Sequence, residues 1–209
     1  MKVISKLNEE LKDPGAKEKI LEAAGRTFAK LGYYGASMKD IAEKAGVNKA
    51  LLFYYFGSKE KLYNEVICNI HHGFKERLGY FQQEISKMTV EEKIQKCIMF
   101  YLEELSAHHY IIPLILREII GTGPGLPVSI EEFLSLFQNP LHDIIKEGMS
   151  QGIFKGIDTY LTTITILSTI ETSVRLRIFR KMDIENEAVT KNIMQILKNG
   201  IYGQGVSHE

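Results

Sequence analysis

Apolar residues recur every three or four positions almost from end to end of the 209-residue chain, the spacing of helices that each bury one face. The β-branched run Thr162 to Ile166 lies inside a longer stretch of the same period, so the pattern predicts an all-α protein of about nine helices. A first helix is expected from about Ala16 to Leu31, with Ile20, Ala24, Phe28 and Leu31 on one stripe, Leu21 beside it, Asp13-Pro14 before it and Gly32 as its left-handed stop. Two short helices follow. Ser37, with Asp40 three residues on, caps Met38 to Ala45 before Gly46, and Asn48 caps Lys49 to about Phe56 before Gly57. Ser58 then opens a long helix from Lys59 to about residue 87, whose stripe of Leu62, Val66, Ile70, Phe74, Leu78 and Phe81 steps mostly by four.

Beyond it, Thr89 and Glu92 form a capping box for a helix reaching about His108, and Tyr110 to Ile120 makes a shorter, strongly apolar one with Pro113 in its first turn. Residues 121–127, rich in glycine and proline, are a loop. Ser129 and Glu132 are expected to cap a helix to about Ser150, kinked or broken at Pro140, and Gly152 to Gly156 is a turn. Asp158 to about Lys181 and Ile184 to about Tyr202 complete the set. The helix after Asp158 carries Leu161, Ile164, Ile166, Leu167, Ile170, Val174, Leu176 and Ile178, and so needs cover on several sides. The last helix offers a matching stripe of Val189, Ile193, Ile196, Leu197 and Ile201, which places a homodimer interface on these two helices.

Composition excludes a disordered or low-complexity chain: 44% of residues are hydrophobic, with only 5 prolines. Net charge is zero, yet residues 1–59 hold 11 Lys/Arg against 7 Asp/Glu, while residues 60–209 hold 15 against 19. A basic N-terminal part on an acidic remainder suits a chain that presents one end to phosphate. Met1 to Lys12 has no charged-then-apolar leader, and no apolar run is long enough to span a bilayer, so the expectation is a cytoplasmic protein without membrane contact. Cys68 and Cys97 read as small buried apolar residues rather than a redox pair.

The string SMKDIAEKAGVNKALLFYYFGSKEKL reads as a helix-turn-helix, with Ile41, Ala42, Val47 and Leu52 as the buried residues and Gly46 in the turn. Removing buried Leu52 and Phe56 leaves Lys49, Ala50, Phe53, Tyr54 and Tyr55, a cationic and aromatic set on a helix short enough to enter a major groove. Residues 16–63 resemble the N-terminal domain of the TetR family of bacterial transcriptional regulators, through ILEAAGRTFAKLGY, SMKDIAEKAGV and LLFYYFGSKEKL. The resemblance implies a dimer that places its third helices in the major groove. It further implies a C-terminal helical domain whose small-molecule ligand relieves repression, with residues 1–59 binding DNA and 60–209 serving ligand and dimer. It assigns phosphate contacts to Ser37, Tyr55 and Lys59, and base or groove contacts to Lys39, Lys49, Ala50 and Tyr54, with Lys49 reading guanine and Lys59 a mobile cation. Phe53 stands where many members have tyrosine, and Leu51 where a threonine or small polar residue is frequent, which puts in question contacts that need a hydroxyl there. Phe53 and Tyr54 have a second possible use, packing between the DNA-binding head and the fourth helix, and Lys39 another as a solvated charge.

Residues after Lys61 carry no nucleophile elbow, phosphate loop, paired-histidine zinc helix or dinucleotide fingerprint, so neither an enzyme nor a cofactor is expected. Cys68, His71 and His72 share a helix and His108 and His109 end another, which keeps a metal sensor as a minor alternative to a protein with no metal site. An effector pocket is expected among Phe100, Tyr101, Arg117, Phe133, Phe137, Thr165, Thr169 and Thr172, most of them equally able to be core; Arg117 is an exception, and an Arg117–Glu171 ion pair would account for both charges without a ligand. The remaining alternatives are a helical protein-interaction adaptor and a hydrolase with an unrecognised site.

Overall fold

The structure, a computed structural model, describes residues 15–121, 123–128 and 130–199. Among them are nine helices: α1 Ala16–Gly35, α2 Met38–Ala45, α3 Lys49–Phe56, α4 Lys59–Ile85, α5 Val90–Ala107, α6 Ile111–Ile119, α7 Ile130–Ser150, α8 Thr159–Arg180 and α9 Asn186–Asn199. They fall into two compact units. One comprises the described residues up to Glu76 with Tyr110–Phe133, and the other Arg77–His109 with the described residues from Leu134 onward.

In the first unit α1 packs on α2 and α6, and α2 on α3. The expected α1 stripe is buried at Ile20, Ala24 and Phe28, but Leu31 is exposed. Gly32 has φ 74° and ψ 167°, so the helix breaks there as the glycine signal implies, and then completes one further turn to Gly35 instead of ending. Both predicted caps of the short helices form. Asp40 N donates to Ser37 Oγ at 3.1 Å while the Asp40 carboxylate accepts from Ser37, and Asn48 Oδ1 accepts from Ala50 N at 2.9 Å. Gly46 takes the left-handed conformation (φ 70°, ψ 22°) that turns α2 into α3. Leu62, Val66, Ile70 and Phe74 of the long α4 stripe are buried here, and Leu78 and Phe81 in the second unit.

In the second unit α5 packs on α8 and α9. The Thr89–Glu92 capping box is present. The cap expected at Ser129 lies outside the described residues. Of the kink or break expected at Pro140, the break does not occur: helix α7 runs through it as one element. Proline removes the donor that would reach Leu136 and disturbs this stretch of the ladder, and the buried Tyr101 hydroxyl donates to the neighbouring Phe137 carbonyl at 2.9 Å. Helix α8 buries one stripe, Thr163, Ile166, Ile170 and Val174, and leaves Tyr160, Leu161 and Phe179 exposed, so within one chain it is covered on one side rather than several. With Ile193, Ile196 and Leu197 of α9, the exposed flank forms a groove of about 550 Å³ that also includes Ile153 and Phe154. The expected stripe residue Ile201 is outside the described residues.

Candidate nucleic-acid interface

Helix α3 is divided lengthwise. Leu51, Leu52 and Phe56 are buried, Tyr55 is half-buried, and Lys49, Ala50, Phe53 and Tyr54 are exposed. The four exposed residues are related by one, three, four and five positions, so they share one outward face. Phe53 is 45% and Tyr54 67% exposed, so neither fills the gap between head and α4 that was their alternative use. The Lys49 ammonium lies over the Phe53 ring, 5.5 Å from its centroid. Leu51 is fully buried, so a polar side chain there would face the core rather than a groove.

Around this face stand the other sequence-predicted contacts. Lys39 is exposed on α2. Ser37 is exposed, but its hydroxyl is already spent on Asp40, donating at 2.7 Å, and that bond is the main reason the Asp40 carboxyl is held below its usual range. Lys59 is not the mobile cation that was expected. Its ammonium donates to the carbonyls of Tyr33 at 3.0 Å and Ala36 at 3.1 Å, and sits 4.5 Å from the centre of the Tyr33 ring. The end of α1 offers carbonyls without helical donors, and a lysine at the first position of α4 reaches them. Two of its three donors are thus committed to the fold.

A second polar arrangement in this unit escaped the sequence reading. Glu118, 7% exposed on α6, accepts from the Tyr63 hydroxyl of α4 and from Gly125 N at 3.1 Å. A Cβ at Gly123 would overlap the same carboxylate, so glycine lets residues 123–125 close over it. Burial first, and then Glu118, push the Tyr63 hydroxyl far above its ordinary pKa. The only local hint was an acidic residue inside an apolar helix.

Within the second unit the effector candidates divide between an aromatic cluster and the α8–α9 groove. Phe100, Tyr101 and Phe137 form an aromatic cluster in the second unit, with Phe81 stacked on Phe100 at 4.4 Å. Tyr101 is fully buried. Phe100, Phe81, Met88 and Met99 line a groove of about 460 Å³ rimmed by Glu84, Glu92, Lys96 and Glu103. Thr165 and Thr169 line the α8–α9 groove instead, each donating to a carbonyl one turn back, and Thr172 bonds Glu171. Glu171 is bonded by Arg175 at 3.0 Å, which accounts for its charge without Arg117. Arg117 and Phe133 belong to the first unit, where Arg117 lies against Gly32. Cys97 is buried as expected, whereas Cys68 is only half-buried. Cys68, His71 and His72 differ in exposure, with only His71 buried, and among the described residues no group of three or more His, Cys, Asp or Glu is placed to hold a metal. None of the helices, among the described residues, is long and apolar enough to cross a membrane.

Two short capped helices at a glycine turn, the second presenting a basic and aromatic face, define a helix-turn-helix DNA-binding protein. Residues 20–66 match the family model described as bacterial regulatory proteins, tetR family, and residues 74–200 match that of the YsiA-like protein, C-terminal region. The chain belongs to the TetR family of bacterial regulatory proteins. It is 26% identical over 191 residues to the fatty acid metabolism regulator protein of Bacillus subtilis (strain 168), spanning 88% of this chain and 95% of that one. The solved structure of a putative fatty acid metabolism regulator from Clostridium perfringens shares the fold, with a TM-score of 0.71, 24% identity and coverage of 88% and 98%. So does the transcriptional regulator FadR from Bacillus subtilis, solved in complex with stearoyl-CoA, at 0.67, 24%, 88% and 99%. The chain is a ligand-responsive, DNA-binding transcriptional regulator of a dimer-forming family, and not an enzyme. The adaptor and hydrolase alternatives fall with that assignment.

Proposed function

We propose that the protein is a cytoplasmic repressor that binds a palindromic operator as a homodimer and leaves it when a long-chain acyl thioester binds. The observation that carries the DNA half of this reading is the outward face of α3, an exposed cluster of lysine and aromatic side chains backed by fully buried leucines. On it Lys49 reads guanine from the major groove, with Ala50 and Tyr54 against neighbouring bases, while Ser37, Lys39 and Tyr55 approach the flanking groove or backbone. Lys59 keeps one donor for a phosphate while tethering α1. The dimer forms through α8 and α9, whose exposed Leu161, Ile196 and neighbouring groove supply the apolar surface that a two-fold partner would cover. The acyl class of effector is supported by the names of the relatives and by the aromatic cluster of Phe100, Tyr101 and Phe137 in the second unit. Thr165 and Thr169, on the α8–α9 flank, are better placed for the dimer than for an effector.

An effector can act only through a difference in affinity between the DNA-competent and incompetent states. The test is enrichment of duplexes from a random library, followed by titration of the bound complex with stearoyl-CoA and with free coenzyme A. A palindromic site released by the acyl form alone is the expected result. Release by both, or by neither, refutes the acyl assignment.

A further inference from the structure

Phe53 is unexplained by the contacts assigned so far. An aromatic ring that is 45% exposed, on the solvent-facing side of a short helix and flanked by exposed Ala50 and Tyr54, leaves nearly half of its apolar surface in water. It has no hydroxyl to offer a phosphate. Among the described residues it meets Lys49, whose ammonium lies 5.5 Å from the ring centroid.

We infer that Phe53 is a sequence-reading residue that contacts the 5-methyl group of a thymine in each operator half-site, beside the guanine read by Lys49. The thymine methyl is the one apolar feature of the major-groove edge, and small or aromatic side chains are its complement. Ala50, one turn before Phe53 and Tyr54, leaves room for the ring to lie flat on that edge. The 5.5 Å between ring and ammonium corresponds to one or two base-pair steps of about 3.4 Å. The pair therefore reads a guanine and a thymine as a unit, and Phe53 restrains the lysine before DNA arrives, so fewer rotamers are lost on binding. The inference rests on α3 being the DNA-reading helix, but adds a base and an atom to it.

The test uses the full-length protein and the duplex it selects. Each thymine is replaced singly by deoxyuridine, which removes only the methyl group, and binding is measured for the wild type, Phe53→Ala and Phe53→Leu. Burial of one methyl predicts about a fourfold loss for the wild type at one thymine per half-site, and roughly fifteenfold when both half-sites are changed. Phe53→Ala binds the thymine and deoxyuridine duplexes equally and discriminates less well at the adjacent guanine. Phe53→Leu keeps part of the methyl preference but not the restraint on Lys49. The salt dependence is unchanged in both, because no phosphate contact is lost. Alanine is a strong helix former at this exposed position, and circular dichroism verifies that the variants fold. A wild type indifferent to every thymine methyl, or a Phe53→Ala variant that retains the wild-type discrimination, overturns the inference while leaving DNA binding intact. No enrichment of any duplex by the wild type refutes the α3 reading itself, and this inference with it.

Discussion

Replacing Lys59 by methionine retains most of the apolar stem and removes the ammonium. Two hydrogen bonds from a charged donor are lost, to Tyr33 O at 3.0 Å and Ala36 O at 3.1 Å, together with the contact to the Tyr33 ring at 4.5 Å. Hydrogen bonds to charged groups contribute about 1.5–3 kcal/mol each and a partly exposed cation–π contact about 0.5–1 kcal/mol. Lys59 is half-buried, so water reaches the freed carbonyls and the lower end of the range applies. The three contacts also share one ammonium and do not add fully. The expected loss of stability is about 2–3 kcal/mol, a large fraction of what a domain possesses. In urea unfolding followed by circular dichroism and tyrosine fluorescence, the midpoint should fall by roughly 1 M. Lys39→Met is the comparison: an exposed lysine on α2 whose removal should leave the midpoint alone and lower the slope of log affinity against log salt by about 1 per subunit. If Lys59→Met unfolds at the wild-type urea concentration and lowers only the salt slope, the side chain is a free phosphate contact and the tether contributes nothing.

Tyr63→Phe deletes the hydroxyl that bonds buried Glu118 and should cost about 1.5–3 kcal/mol, read as a lowered urea midpoint; an unchanged midpoint would mean the carboxylate is served equally well by water. Gly123→Ala should be at least as damaging, because the added carbon meets the Glu118 carboxylate, and should show early protease cleavage in the 121–128 loop. His71, only 4% exposed and with neither ring nitrogen hydrogen-bonded, has its pKa lowered chiefly by burial, with His72 and Lys75 acting in the same sense and Glu132 opposing. The unfolded chain takes up the proton first, near pH 6.5, so this contribution is complete above that pH and is lost as pH falls toward the folded pKa. His71→Leu should flatten the acid side of the stability curve, and parallel curves for variant and wild type would contradict it. Burial pushes the Cys97 thiol up to about 12, so at pH 8 Cys97 should stay unlabelled by iodoacetamide until the protein unfolds, a result that mass mapping of the labelled peptides checks directly.

The helices and their ends were legible in the chain because the interactions that set them are short-ranged. Ser37 and Asp40, Asn48 and Ala50, and Thr89 and Glu92 lie within three residues of each other, and all three caps form where their spacing predicts. The exposed face of α3 was legible for the same reason, since an eight-residue helix has only two sides to assign. Leu31 and Pro140 mark the limits of periodicity: Leu31 keeps its helical position beside the break at Gly32 but is left exposed, and α7 continues through the proline. The effector candidates were the least legible. An apolar helix position shows that a side chain is covered, but not what covers it, and the threonines of α8 proved to line the α9 groove while Phe100 and Tyr101 joined the aromatic cluster.

The long-range charged and polar contacts belong to the tertiary structure alone. Lys59 meets carbonyls 23 and 26 residues away, and Tyr63 meets a carboxylate 55 residues away. A long flexible side chain can reach any acceptor that folding brings within a few ångströms, so its role depends on three-dimensional proximity that no local spacing encodes. The chain by itself therefore determined an all-helical regulator with a helix-turn-helix whose second helix exposes a lysine and aromatic face. Only packing decided that one of its expected DNA contacts holds the head together, and that a tyrosine and a glycine-rich loop enclose a buried glutamate.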